Sequence, residues 1–228
     1  TRKRTRVARI ILQEFPWPPP QNKDALNFSF GPPGNMLLPP QWGKGWFKYR
    51  GVYWLYPFAD KEESHPEVKE NLVFVKYSTP HARLDESWDF SAPLIEALEE
   101  LGVDYFRGGY PVEERVPHRD FIDKMNRTKL YFQVKAESYG LTKWEAVASE
   151  AVVIGSPYTL FRTAFVNEFG FKLVPTTGVE TLKKAITMGL EAYDKPEVRE
   201  HLWAMREKLW DYGRLAREIV SILKELKT

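Results

Sequence analysis

From Asn71 onward the chain alternates short apolar runs with amphipathic stretches, and this alternation restricts the available folds more than any other feature. Asn71–Tyr77 (NLVFVKY) is β-branched and aromatic, the composition of a buried strand. Ser91–Leu101 places apolar residues at helical spacing and stops at Gly102, the residue preferred just past a helix end. The same reading predicts strands at Asp104–Arg107, Lys129–Val134, Ala151–Gly155 and Phe171–Val174. It predicts helices at His118–Asn126, Thr142–Ser149, Tyr158–Glu168 and Val179–Tyr193. Glu197–Leu226 reads as one or two amphipathic helices, with Trp203, Trp210, Leu215 and Ile219 expected to face the core. Strands separated by helices need crossover connections, and crossovers produce a parallel sheet covered on both faces. The expected fold is α/β, a Rossmann-like domain spanning residues 51–228.

Residues 1–50 read differently. Val7–Leu12 is one short apolar run, a candidate strand, followed by Pro16, Pro18, Pro19 and Pro20 and then by Pro32, Pro33, Pro39 and Pro40. Proline fixes φ and donates no hydrogen bond, so a long helix or central strand is excluded there. The aromatics Trp17, Phe28, Phe30, Trp42, Trp46 and Phe47 are too many for a solvated linker. The segment is expected to be an irregular arm packed on its own domain or on a partner.

Of 228 residues, 43% are hydrophobic, enough for a real core. The net charge of +2 favours neither nucleic acid nor membrane, although Arg2, Lys3, Arg4 and Arg6 make the start basic and leave peripheral membrane contact open. With no cysteine, a disulfide framework, a thiolate metal site and a thiol nucleophile are excluded, and four scattered histidines argue against zinc. No apolar run approaches the roughly 20 residues of a spanning helix. A soluble, cytoplasmic protein is expected.

In an open parallel sheet the ligand lies beyond the carboxyl ends of the strands, where backbone N–H groups at a helix start face an anion. The loop between Lys129–Val134 and Thr142–Ser149 is such a place. Gly140 permits close approach to a phosphate, and Gly140, Leu141 and Thr142 would present their N–H groups at the helix start. Glu137 lies before the helix and Glu145 one turn into it, one carboxylate at each end of the segment.

Residues Glu137–Ser156 (ESYGLTKWEAVASEAVVIGS) resemble the E-x7-E signature of retaining GT-B glycosyltransferases, usually E-x-F-G-L-x-x-x-E-A-x-A-x-G-x-P-V. The match includes Glu137, Tyr139 for Phe, Gly140, Leu141, Glu145, Ala146, Ala148 and Val153. Val52–Asp60 (VYWLYPFAD) is similar to the family's interdomain crossover segment. The resemblance implies that Glu145 accepts hydrogen bonds from the ribose hydroxyls of a nucleotide and that Glu137 contacts hydroxyls of the donor sugar. It gives the diphosphate to the backbone of Tyr139, Gly140, Leu141 and Thr142, with Ser138 in the same binding segment. The family's base-binding loop falls around Gly108–His118, which brings in Gly109. Lys76 and Arg83 are the nearest candidates for the basic pair that neutralises the departing diphosphate. The co-substrate would be a nucleoside-diphosphate sugar, with no metal and no other cofactor.

The sequence departs from the pattern at Glu150 and Val152, where the family usually has Gly and Pro. It also lacks room for an acceptor-binding domain. The chain then reads as a donor-binding subunit with a partner subunit or a second copy, as a truncated chain, or as a minimal variant. Two other function classes stand beside the glycosyltransferase: a non-catalytic nucleotide- or partner-binding module, and a nucleic-acid-binding protein. The near-neutral charge disfavours the last.

Overall fold

The computed structural model describes residues 7–10, 25–30, 46–49, 52–77, 90–109, 116–135, 141–160 and 168–225. Five parallel strands form the central sheet: β5 (Glu70–Tyr77), β6 (Asp104–Gly109), β7 (Thr128–Gln133), β8 (Val152–Gly155) and β9 (Lys172–Leu173). Their order across the sheet is β6-β5-β7-β8-β9. The helices α1 (Ser91–Leu101), α2 (His118–Arg127), α3 (Leu141–Ala148), α4 (Pro157–Leu160), α5 (Val179–Tyr193), α6 (Pro196–Lys208) and α7 (Tyr212–Glu225) make the crossovers and close the chain. The Rossmann-like α/β architecture expected from the alternation is the one observed.

The two faces of the sheet are filled by alternate residues of the same strands, as the pleat dictates. Val73, Val75, Leu130, Phe132, Val152 and Ile154 pack with Leu94, Leu98, Leu182 and Ile186 of α1 and α5. Phe74, Tyr131 and Val153 point the other way, toward Met125, Trp144, Met205 and Trp210. Phe74 stacks on Tyr131 at 5.3 Å and tilts against Phe106 at 4.6 Å. Gly108 makes room for this cluster, because a Cβ there would lie 2.4 Å from Phe74 Cε2.

A second sheet, ordered β1-β2-β4-β3, joins β1 (Val7–Ile10), β2 (Ala25–Phe30), β3 (Trp46–Tyr49) and β4 (Val52–Leu55). The short strand expected near Val7 is present, and β2 and β3 are strands that the sequence reading did not anticipate. The prolines of this region all fall between strands, in segments outside the described residues. Directly after β4, the chain meets the junction of α6 and α7. Ala59 N–H donates to the Trp210 carbonyl at 3.0 Å, and Trp210 N–H donates to the Pro57 carbonyl at 3.1 Å.

Two expectations need correction. Trp203 does not face the core. It is 55% exposed, because α6 packs through Leu202 and Met205 and Trp203 is rotated away from that side. The helix expected over Tyr158–Glu168 starts as α4, but Glu168 lies in a turn, and residues 161–167 fall outside the described set. Among the described residues, no helix is long and apolar enough to cross a membrane.

Candidate functional site

The chain steps from β5 outward to β6 and then back across β5 to β7, so the connections diverge between β5 and β7. The crevice beyond the carboxyl ends of the strands at such a point is where open α/β sheets hold ligands. The ends concerned are Lys76–Tyr77 of β5 and Gln133 with Val134 after β7. Phe90 N–H donates to the Val134 carbonyl at 3.2 Å, which seats the start of α1 at the same edge. Gln133 is fully buried; it accepts from the Tyr131 hydroxyl at 2.6 Å and donates to the Lys135 carbonyl at 2.5 Å.

From Lys143 to Ala148 every residue of α3 is buried except Glu145, which is half-buried. Trp144 anchors the helix edge-on against Phe169 at 5.1 Å. Burial raises the Glu145 carboxyl above the ordinary carboxylate range, and the charges of His118 and Lys76 pull it back down. Charges from two other elements thus act on this carboxylate of α3: Lys76 at the end of β5 and His118 at the first residue of α2.

The turn after the crossover segment supplies a third charge, that of Glu63. Asp60 Oδ1 accepts from the N–H groups of Glu62 and Glu63 at 3.0 and 3.1 Å, an Asx-type turn that fixes Glu63. Glu63 Oε2 then lies 3.4 Å from His118 Nε2, and the imidazole stacks on Phe121. Buried Asn126 of α2 holds this turn to the end of α3. Its Nδ2 donates to the Glu63 carbonyl at 2.9 Å, while its Oδ1 accepts from His65 N–H at 3.0 Å and from the Ser149 hydroxyl at 2.8 Å. At the start of α7, burial raises the Tyr212 hydroxyl above its ordinary range, and the charges of Asp60, Glu145 and Glu63 add to the effect.

The end of α3 explains one departure in the motif. Ala151 N–H donates to the Ala146 carbonyl at 2.9 Å and Glu150 N–H to the Val147 carbonyl at 3.0 Å, the paired bonds of a Schellman cap. The cap requires a left-handed residue at position 150, and Glu150 adopts φ 59°. A glycine takes that conformation without strain; this chain places a glutamate there.

No family model matches the chain, and no curated protein matches it by sequence. Solved structures do match. Sucrose-phosphate synthase from Thermosynechococcus elongatus superposes with a TM-score of 0.56 at 15% identity, over 87% of this chain and 58% of the synthase. A glycosyltransferase of avilamycin A biosynthesis superposes with a TM-score of 0.52 at 13% identity, over 89% of this chain and 68% of that one. The chain has the GT-B glycosyltransferase fold. It thus spans little more than half the length of the GT-B synthase it resembles.

Within this GT-B fold, the residues singled out in the sequence fall into two groups. Lys76 ends β5 and acts electrostatically on Glu145 of α3; Leu141 and Thr142 open α3, with Leu141 exposed; Gly109 ends β6, paired with Tyr77. Glu137, Ser138, Tyr139, Gly140 and Arg83 lie outside the described residues. Sequence reasoning treated His118 as a helix-start residue, which it is, and passed over Glu63, whose charged surroundings give no signal. Among the described residues, no group of three or more acidic or imidazole side chains is arranged to hold a metal ion.

Proposed function

We propose that the chain is the donor-binding part of a glycosyltransferase that moves a sugar from a nucleoside-diphosphate sugar to an acceptor with retained anomeric configuration. The observation that carries the reading is Glu145, a half-buried carboxylate on the helix that follows β7 in a GT-B fold, under the positive influence of Lys76 and His118. A carboxylate held in this way accepts two hydrogen bonds from a ribose diol. Glu137 takes hydroxyls of the donor sugar, and the N–H groups from Tyr139 to Thr142, with Ser138 beside them, take the diphosphate. In the reaction, the bond from the anomeric carbon to the diphosphate oxygen breaks and the diphosphate leaves with the electron pair. The acceptor hydroxyl adds on the same face and passes its proton to the departing diphosphate oxygen. Lys76 and Arg83 supply the positive charge that stabilises the leaving group, with no metal in the scheme. The acceptor is presented by a partner subunit or a second copy of the chain.

Calorimetric titration with UDP, GDP, ADP, dTDP and their common sugars tests this reading. One nucleotide should bind the wild type and bind Glu145→Gln more weakly by about 1–3 kcal/mol, the worth of charged hydrogen bonds. Glu137→Ala should spare the free nucleotide and weaken only the sugar-bearing donor. Donor turnover, slow hydrolysis included, separates an enzyme from a binding module. If neither substitution changes donor binding, the assignment fails.

A further inference from the structure

Helix α3 has a second working side. Val147 follows Glu145 by two residues, about 200° around the helix, and so faces away from the switch point. There it lines an open-mouthed cavity of about 130 Å³ between α3, β8 and α6, with Val153, Phe169, Phe171, Leu202 and Met205 among its apolar lining. For scale, an engineered lysozyme cavity of about 150 Å³ stays dry and admits benzene. A ring or tail of about six carbons therefore matches the space.

The mouth has a different character. Lys172, Glu197 and His201 line it, and the Lys208 ammonium stands close by, 3.6 Å from Met205 Sδ and donating to the Glu168 carbonyl at 3.0 Å. Burial, and then the positive charges of Lys172 and Lys208, lower the His201 pKa. Lys172 and Lys208 are the charges that bear on His201, which adds a further hydrogen-bonding group, and Glu197 is the one carboxylate among the lining residues. The imidazole is seated closely: a Cβ on Gly170, whose φ is +62° in the left-handed range, would fall 2.4 Å from His201 Nε2. An apolar chamber with a cationic rim is complementary to an amphiphilic anion.

We propose that this cavity binds a small apolar carboxylate, its tail of about six carbons against Val147, Phe171 and Met205 and its carboxylate at the mouth beside Lys172 and His201. The site is independent of the donor assignment and shares only α3 with it.

Calorimetric titration of the full chain with hexanoate, hexanol and hexylamine tests the proposal. Hexanoate should bind saturably at one site, hexanol about fivefold more weakly, and hexylamine more weakly still. Val198 of α6 also lines the cavity, and Val198→Trp, which adds bulk there, should abolish hexanoate binding while circular dichroism shows the fold intact. Lys172 lies on the exposed edge strand, so Lys172→Met tests the rim without touching the core; it should bring hexanoate down to the affinity of hexanol and leave hexanol unchanged. The proposal is overturned if hexanoate shows no saturable binding or binds no better than hexanol. It is also overturned if folded Val198→Trp or Lys172→Met binds hexanoate as the wild type does.

Discussion

The left-handed residue at the end of α3 gives a test that isolates one backbone angle. Glu150 adopts φ 59°, and its N–H and that of Ala151 complete the cap. A non-glycine residue in that region costs about 1–2 kcal/mol, because its Cβ crowds the neighbouring carbonyl. Replacing Glu150 by both Ala and Gly removes the same carboxylate from the neighbourhood of Arg206, Lys69 and Arg199, so the charge effect cancels between the two variants. What remains is the relief of strain in Gly, less the roughly 0.5–1 kcal/mol by which glycine's freedom favours the unfolded chain. Glu150→Gly should therefore be more stable than Glu150→Ala by about 1 kcal/mol. Urea unfolding at pH 7, with equal slopes required for both variants, reads this directly. An alanine variant as stable as the glycine variant would refute the left-handed cap, and with it the account of why the motif carries glycine there.

Other predictions follow from the groups around α3. Burial lowers the Lys69 ammonium from 10.5 to about 7, against the pull of Glu150 and Glu67, while it donates to the Thr128 and Ser149 carbonyls. Its charged form is penalised in full below pH 7 and progressively relieved between about 7 and 10.5, so stability contributed by this group rises with pH. In urea midpoints the wild type should gain on Lys69→Met by about 1 kcal/mol per pH unit over that window; parallel profiles would contradict it. Asn126→Ala removes three hydrogen bonds that tie the Glu63 turn to α3 and should cost about 2–4 kcal/mol in chemical denaturation, with a loss near zero counting against the hub. If Glu145 holds ribose as a carboxylate, nucleotide affinity should fall as pH drops through its raised pKa, above the range of an ordinary glutamate. Titrations at stepped pH would then show no such inflection in Glu145→Gln.

The central fold was legible because strand and helix differ in period. Asn71–Tyr77 and Lys129–Val134 are continuous apolar runs, as strands covered on both faces must be, and Gly102 marks the end of α1 with φ 61°. What failed was amphipathicity in α6, where Trp203 sits at helical spacing from buried residues yet lies on the solvent side. Strands β2 and β3 were hidden by the prolines around them, since composition averages over a window and pairing does not. In the site, Glu145 was legible because its motif is local. The approach of Glu63 and His118 was not, because it depends on Asn126 bridging residues far apart in the chain.

The exchange between Pro57–Ala59 and Trp210 joins positions about 150 residues apart. A chain emerging from the ribosome makes Tyr56 and Phe58 long before it makes their cover, and closure of so long a loop is entropically late. Until then these rings stay open to any other apolar surface, although every strand of the parallel sheet has already been synthesised. Full sealing of this surface therefore waits for the Trp210 segment. A chain cut before Trp210 should therefore bind a hydrophobic dye more strongly than the uncut one.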